Sequence, residues 1–116
     1  MKGVWGEQAA RVYLERKGYR TMETNFRTRF GEIDIIAAQG KYIVFVEVKT
    51  RKSDRFAAAR EFVTPAKQQR IIATASLWLR QHPTKKQPRF DVVEVYGEEG
   101  TAIVPRIHHL ENAFGG

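Results

Sequence analysis

The chain contains no cysteine. Disulfides and thiolate metal sites are thereby excluded, and a reducing compartment is permitted without being demanded. Long apolar runs are missing too. No stretch approaches the length of a bilayer span, and the opening Met1-Lys2-Gly3-Val4-Trp5-Gly6-Glu7 has no signal-peptide core. The expectation is a cytoplasmic protein with no membrane partner. Histidine is scarce and late, at 82, 108 and 109, so nucleophilic schemes built on a Cys–His or Ser–His pair lack parts. Adjacent His108 and His109 on a strand would point to opposite faces, which argues against a shared metal site and leaves them as ordinary surface histidines. Internal repeats and low-complexity tracts are absent as well.

What is present fits one globular unit. A length of 116 residues with 42% hydrophobic composition supports a single domain over 1–116 with a proper core and argues against disorder. The formal charge is +7 and unevenly placed: residues 1–60 hold thirteen Lys and Arg against seven Asp and Glu, residues 61–116 seven against six. A basic field of this kind suits a polyanion partner.

The densest chemistry lies within that basic half. Gly31-Glu32-Ile33-Asp34 and Val46-Glu47-Val48-Lys49 fall on two stretches, 33–38 and 42–49, rich in Ile, Val, Phe and Tyr, with Gln39-Gly40-Lys41 between them. These read as a hairpin. A two-residue turn at Gly40-Lys41 sets Asp34 opposite Glu47, and strand periodicity returns Lys49 to the face of Glu47. Tyr42, Val44, Val46 and Val48 make one face of the second arm apolar. Ile43 and Phe45 make the other apolar until Glu47 and Lys49 interrupt it. A strand apolar on both faces is covered on both, where charges are costly unless paired, hydrogen-bonded or metal-bound.

Around the hairpin, Trp5, Ala9, Val12 and Tyr13 predict a helix over 4–17 stopped by Gly18, then a short strand over 19–25 and a basic loop Asn25-Phe26-Arg27-Thr28-Arg29. Thr50 to Arg60 reads as a mobile, strongly basic loop. Thr64-Pro65 starts a second helix with an Ile71, Ala75, Trp78, Leu79 stripe that ends at His82-Pro83. Phe90 to Tyr96 predicts a strand, Gly97 to Gly100 a turn, and 102–107 a last strand. The order is α-β-β-β-α-β-β in an α/β fold with a mixed sheet, and the helix joining the hairpin to the Phe90 strand predicts a parallel crossover.

Two carboxylates on a rigid sheet are the ligands that Mg2+ or Mn2+ prefers. A cation so held serves phosphodiester cleavage, with Lys49 stabilising developing negative charge or positioning the attacking water. Glu7 has two readings: a first-turn glutamate favoured by the helix dipole, or an outer ligand brought to Asp34 by the helix. Glu32 is a supporting partner or simply solvated. Arg51, Lys52, Arg55 and Arg60 after the second arm, Lys67 and Arg70 on the next helix, and Arg27 and Arg29 before the hairpin are the expected grip on nucleic acid, DNA by preference.

The array Gly6-Glu7, Gly18-Tyr19, Asn25-Phe26-Arg27, Gly31-Glu32-Ile33-Asp34-Ile35-Ile36-Ala37, Phe45-Val46-Glu47-Val48-Lys49-Thr50-Arg51, Lys67, Arg70-Ile71 and Arg89-Phe90-Asp91-Val92-Val93 resembles the YraN-type family of small bacterial proteins. Through that family it resembles the restriction-endonuclease-like superfamily, the PD-(D/E)-x-K nucleases, and is similar to archaeal Holliday junction resolvases in element order. The resemblance spans nearly the whole chain. It implies a restriction-endonuclease-like core, Asp34 and Glu47 as metal ligands with the Val48 carbonyl as a further one, and Lys49 as the catalytic lysine. Glu7 matches the N-terminal helix glutamate of resolvases. Ile33 stands where the superfamily motif carries proline. The implied activity is a Mg2+-dependent nuclease acting on DNA, with branched or structured DNA in repair or recombination as the substrate class. The rivals are a nucleic-acid-binding module without turnover and an accessory subunit of another enzyme. All three central residues are present, which favours the enzyme. Resolvases act as dimers because a four-way junction needs two symmetric cuts, so a homodimer is left open.

Overall fold

A computed structural model describes residues 4–51 and 63–115. The β-branched and aromatic runs form strands and the capped, alanine-containing segments form helices: α1 Val4–Arg16, β1 Arg20–Thr28, β2 Gly31–Gln39, β3 Tyr42–Arg51, α2 Pro65–Gln81, β4 Gln87–Tyr96 and β5 Arg106–Phe114. The expected α-β-β-β-α-β-β order holds. The five strands make one sheet in the order β1-β2-β3-β4-β5. Neighbours are antiparallel except β3 and β4, which run parallel on either side of the α2 crossover. The result is a mixed α/β fold with two helices.

Each face of the sheet carries its own core, as the two-sided apolar pattern of β3 requires. Ala10 and Leu14 of α1 pack with Ile35, Ala37, Val44, Val46, Val93 and Val95. On the other face Ile71, Ala75 and Trp78 of α2 pack with Ile33, Ile36, Ile43, Phe45 and Phe90. Each fully buried Val, Ile or Phe contributes about 1.5–3 kcal/mol relative to exposure. The turn between β2 and β3 is the expected two-residue one: Gln39 pairs with Tyr42, and Gly40 takes the positive φ of 58° that such a turn needs.

Helix α2 begins as its sequence predicts, with Thr64 as N-cap accepting from the Lys67 amide and proline opening the first turn. On α1 the buried line differs from the expected stripe. It is Gly6, Ala10 and Leu14, whereas Val12 is exposed. The small residues let this helix sit close to the sheet, so close that a Cβ on Gly6 would lie 2.6 Å from Thr50 Cγ2.

Three further expectations are corrected. Asn25 to Arg29 is not a loop, because β1 runs to Thr28 and only Arg29-Phe30 turn before Gly31. Thr50 and Arg51 belong to β3, held by their pairing with Val95 and Tyr96; residues 52–60, the remainder of the expected basic loop, lie outside the described residues. The last strand forms at Arg106–Phe114 and not at 102–107. Ala102-Ile103-Val104 has strand composition, but Pro105 lacks the N–H a ladder needs and its Cα crosses over Gly97. Ile103 and Val104 are left 78% and 83% exposed.

Candidate metal centre and its basic rim

The hairpin ladder stops where the acidic residues begin. Paired residues of β2 and β3 run from Gln39↔Tyr42 to Ile35↔Val46, and continuing it would pair Ile33 with Val48 by backbone bonds. Instead the Val48 N–H donates to Asp34 Oδ2 at 2.7 Å. On the other side of β2, the β1 ladder passes from Thr24↔Ile35 to Phe26↔Ile33 without an Asn25 pair, and Asn25 takes a left-handed φ of 54°. The alternation of β2 breaks at the same point. Ile33 joins Ile36 in the α2 core, while Ile35 lies in the α1 core. Asp34 thus puts its carboxylate into a fork between β2 and β3. The Val48 carbonyl, which points the same way as its N–H in such a pair, is directed at that fork.

Glu47 follows directly on β3 and is buried. Two ammonium groups meet it: Lys67 Nζ at 2.8 Å from Oε2 and Lys49 Nζ at 3.3 Å. Lys49 comes from the same strand face, as the periodicity predicts. Lys67 comes from the first turn of α2, so a residue expected on the rim sits at the centre. Burial and the Lys67 ammonium lower the Lys49 pKa. Burial opposes the charge on Lys67 as well, but the hydrogen bond to Glu47, with the Glu47 and Asp34 charges, outweighs it and raises the Lys67 pKa.

Asp34 shows the strongest electrostatic consequence. Burial, then the Glu47 charge, push its carboxyl up to about 7 against the pull of the Val48 N–H, with Glu7 and Glu32 adding to the rise. Glu7 therefore reaches Asp34 as charge. Among the described residues no group of three or more His, Cys, Asp and Glu side chains is arranged to hold a metal ion. Asp34 and Glu47, with Glu32 beside them, open into a cleft of about 370 Å³ lined further by Gly31, Lys67, Arg70 and Ile71.

The basic residues divide. Arg70 lines the cleft. Arg27 is exposed and donates Nε to Glu32 Oε2 at 2.7 Å, so it holds Glu32 beside the cleft. Arg29 lies over the Phe30 ring at 5.0 Å on the hairpin tip. Arg51 ends β3 opposite Tyr96. Lys52, Arg55 and Arg60 lie outside the described residues.

One polar centre went unread in the sequence. Asp91 on β4 is fully buried and accepts from Arg89 Nε at 2.9 Å and Nη2 at 2.8 Å, from the Asn112 amide at 3.0 Å and from His109 Nε2 at 2.7 Å. Burial opposes ionisation of Asp91, but the His109, Arg89 and Asn112 donors outweigh it and hold its carboxyl below the ordinary range. Arg89 also donates to the Tyr19 hydroxyl at 2.6 Å. His109 is thus not the surface residue expected: its side chain is 3% exposed. His108 points away to Glu94 at 2.8 Å, so the two histidines do face apart. The available signal was the i, i+2 pair Arg89 and Asp91, on a strand face that continues with Val93 and Val95.

The profile of the uncharacterised protein family UPF0102 matches residues 6–95, from the glycine that seats α1 to the end of β4. The chain belongs to this YraN-like family. A UPF0102 protein of Syntrophomonas wolfei is 44% identical over 113 residues, covering 97% of this chain and 96% of the relative. One from Caldanaerobacter subterraneus is 43% identical, covering 97% and 93%. One from Symbiobacterium thermophilum is 48% identical, covering 97% and 94%. The UPF0102 match includes both arms of the acidic hairpin and the start of α2, and so every residue that lines the cleft.

Proposed function

We propose that this UPF0102 protein is a Mg2+- or Mn2+-dependent nuclease acting on DNA, with a restriction-endonuclease-like core. The observation that carries the reading is Asp34 in the β2/β3 fork. A buried carboxyl beside a second carboxylate, raised to about 7 by burial and by its acidic neighbours, is one whose ionised form gains from a cation at the fork. Two ammonium groups already crowd onto Glu47. Asp34, Glu47 and the Val48 carbonyl offer oxygen donors of the type a hard divalent cation takes, so the residues fit such an ion.

A divalent cation there would supply Lewis-acid stabilisation of a phosphoryl group and ionisation of water near neutral pH. The chain's own residues do the rest. The Val48 N–H fixes the rotamer of Asp34. Lys49, held at Glu47 with a lowered pKa, stabilises negative charge that develops on the phosphate or orients the attacking water. Arg70 on the cleft wall meets the flanking phosphates. Branched or structured DNA is the substrate class, and the basic half of the chain supplies the attraction.

The test is purified protein on duplex, flap, single-stranded and four-way DNA in Mg2+ and in Mn2+, beside Asp34→Asn and Lys49→Ala. The expected outcome is metal-dependent cleavage, lost in Asp34→Asn and slowed by about two to three orders of magnitude in Lys49→Ala, the effect of removing one electrostatic stabiliser. DNA binding without cleavage in either metal would replace the enzyme by the binding module.

A further inference from the structure

We propose that Lys67 is the resident cation of Glu47 in the metal-free protein, and that a divalent ion entering the cleft releases its ammonium to the phosphates of the substrate. The inference rests on the metal-dependent reading above and adds to it a coupling between metal loading and substrate grip.

Three observations support it. Lys67 is the nearer of the two cations on Glu47, at 2.8 Å against 3.3 Å for Lys49. It is also the more movable. Its side chain is 35% exposed and joins α2 at the cleft wall, whereas Lys49 is 18% exposed on the same strand as its partner. The third observation is the position itself. Thr64 caps α2 and accepts from the Lys67 amide, which makes 67 the place where a capping box carries Glu or Gln. A lysine there opposes the helix dipole, and the first turn of α2 has no acidic residue to offset it. The local helix therefore disfavours this lysine, and Glu47 is the contact that holds it.

A divalent ion binding Glu47 competes for the oxygen that Lys67 now occupies. Two ammoniums and a dication cannot share one carboxylate without strong repulsion, and the lysine on the open side is the one with somewhere to go. Arg70 lies one helical turn further along the same cleft, so the freed ammonium joins a guanidinium on the path of the phosphates. Metal-free protein would then hold DNA with one cation fewer than loaded protein.

The experiment uses Ca2+ as the probe ion and a short fluorescent duplex. Calorimetry gives Ca2+ affinity, and anisotropy over a salt series in EDTA and at fixed Ca2+ gives the slope of log affinity against log salt. The proteins are wild type, Lys67→Met and Lys67→Arg. In EDTA the slopes of wild type and Lys67→Met should coincide. In Ca2+ the slope of Lys67→Met should be shallower by about 0.9, one phosphate contact, and Lys67→Arg should restore it. Lys67→Met should also bind Ca2+ several-fold more tightly, because nothing has to be displaced. A slope difference of the same size with and without Ca2+, or none in either, overturns the release of Lys67. Absence of Ca2+ binding to the wild type is a separate result, which overturns the metal centre and the coupling with it. Equal melting temperatures of the three proteins show that the comparison is between folded chains.

Discussion

Asp34 is the residue on which the chemistry and the stability of this protein conflict. Its carboxyl titrates near 7 in the folded chain against 3.8 for an ordinary aspartate, so the folded state binds more protons across that window. Stability therefore falls as pH rises from about 4 to about 7 and levels off above. The ceiling on this cost is about 4 kcal/mol, three pH units at 1.36 kcal/mol each. Asp34→Asn keeps an oxygen acceptor for the Val48 N–H and removes the charge. In EDTA at pH 8 it should be more stable than wild type by about 1–3 kcal/mol, and at pH 4 the advantage should vanish, as urea unfolding at the two pH values will show. The same variant should bind no Mn2+ in a calorimetric titration. Unchanged Mn2+ affinity would sink the metal centre.

The sequence showed Asp34, Glu47 and Lys49 as a group because strand periodicity and a two-residue turn are local rules. It did not show the fork. Nothing in Gly31-Glu32-Ile33-Asp34 says that the ladder ends at Ile35 or that Ile33 crosses to the other core, because that depends on the left-handed Asn25 of a different strand. Lys67 was legible as basic and near the site, but its contact with Glu47 depends on how α2 docks.

Among the elements, α1 and β5 carry the contacts that the sequence concealed. The stripe Trp5, Ala9, Val12, Tyr13 follows from apolar residues at helical spacing, whereas the helix is seated by Gly6 and Ala10, whose smallness is the point. With a Cβ at residue 6 only 2.6 Å from Thr50 Cγ2, Gly6→Ala should push the start of α1 and Glu7 off the sheet. The expected cost is about 1–3 kcal/mol, the range for overpacking. Thr50→Ser, which deletes the offending methyl, should recover part of it in the double variant. Additive losses in the thermal melts would refute the clash.

Strand β5 is tied to β4 through Asp91, with donors from Arg89, His109 and Asn112. Asp91→Ala leaves the Arg89 guanidinium buried without its carboxylate, and should cost about 3–5 kcal/mol. Denaturant unfolding measures it, and a loss below about 1 kcal/mol would mean that Tyr19 and water satisfy Arg89 unaided. The last strand is hard to place from sequence because Ala102-Ile103-Val104 has the composition of a strand, while the true one, Arg106–Phe114, mixes charged, polar and apolar residues without alternation around two adjacent histidines.

Over the whole molecule, the element order and the parallel crossover were readable from the pattern of breakers, caps and periodicities. The charge distribution was readable from simple counting. On the proposed nuclease reading, the net charge of +7 predicts a DNA affinity that falls steeply with salt, since each phosphate contact adds about 0.9 to the slope of log affinity against log salt on duplex DNA. Arg51, Lys52 and Arg55 follow the acidic arm directly in sequence. Neutralising the three together should flatten that slope by about two to three units while Mn2+ affinity barely moves. An unchanged slope would assign them to solubility and leave Arg70 and Lys67 as the phosphate contacts of the cleft.

The confinement of both acidic side chains to a single tight hairpin has a kinetic consequence. Hairpins close in about 1–10 μs, whereas contacts between distant segments form later in the search. If this hairpin closes first, Asp34 and Glu47 are brought near each other before α2 docks and before Lys67 reaches Glu47. At such a stage two like charges would stand at the open end of the hairpin with Lys49 as the nearby counter-charge on the same strand. Divalent ions at that stage would act on the folding rate and not only on the finished protein.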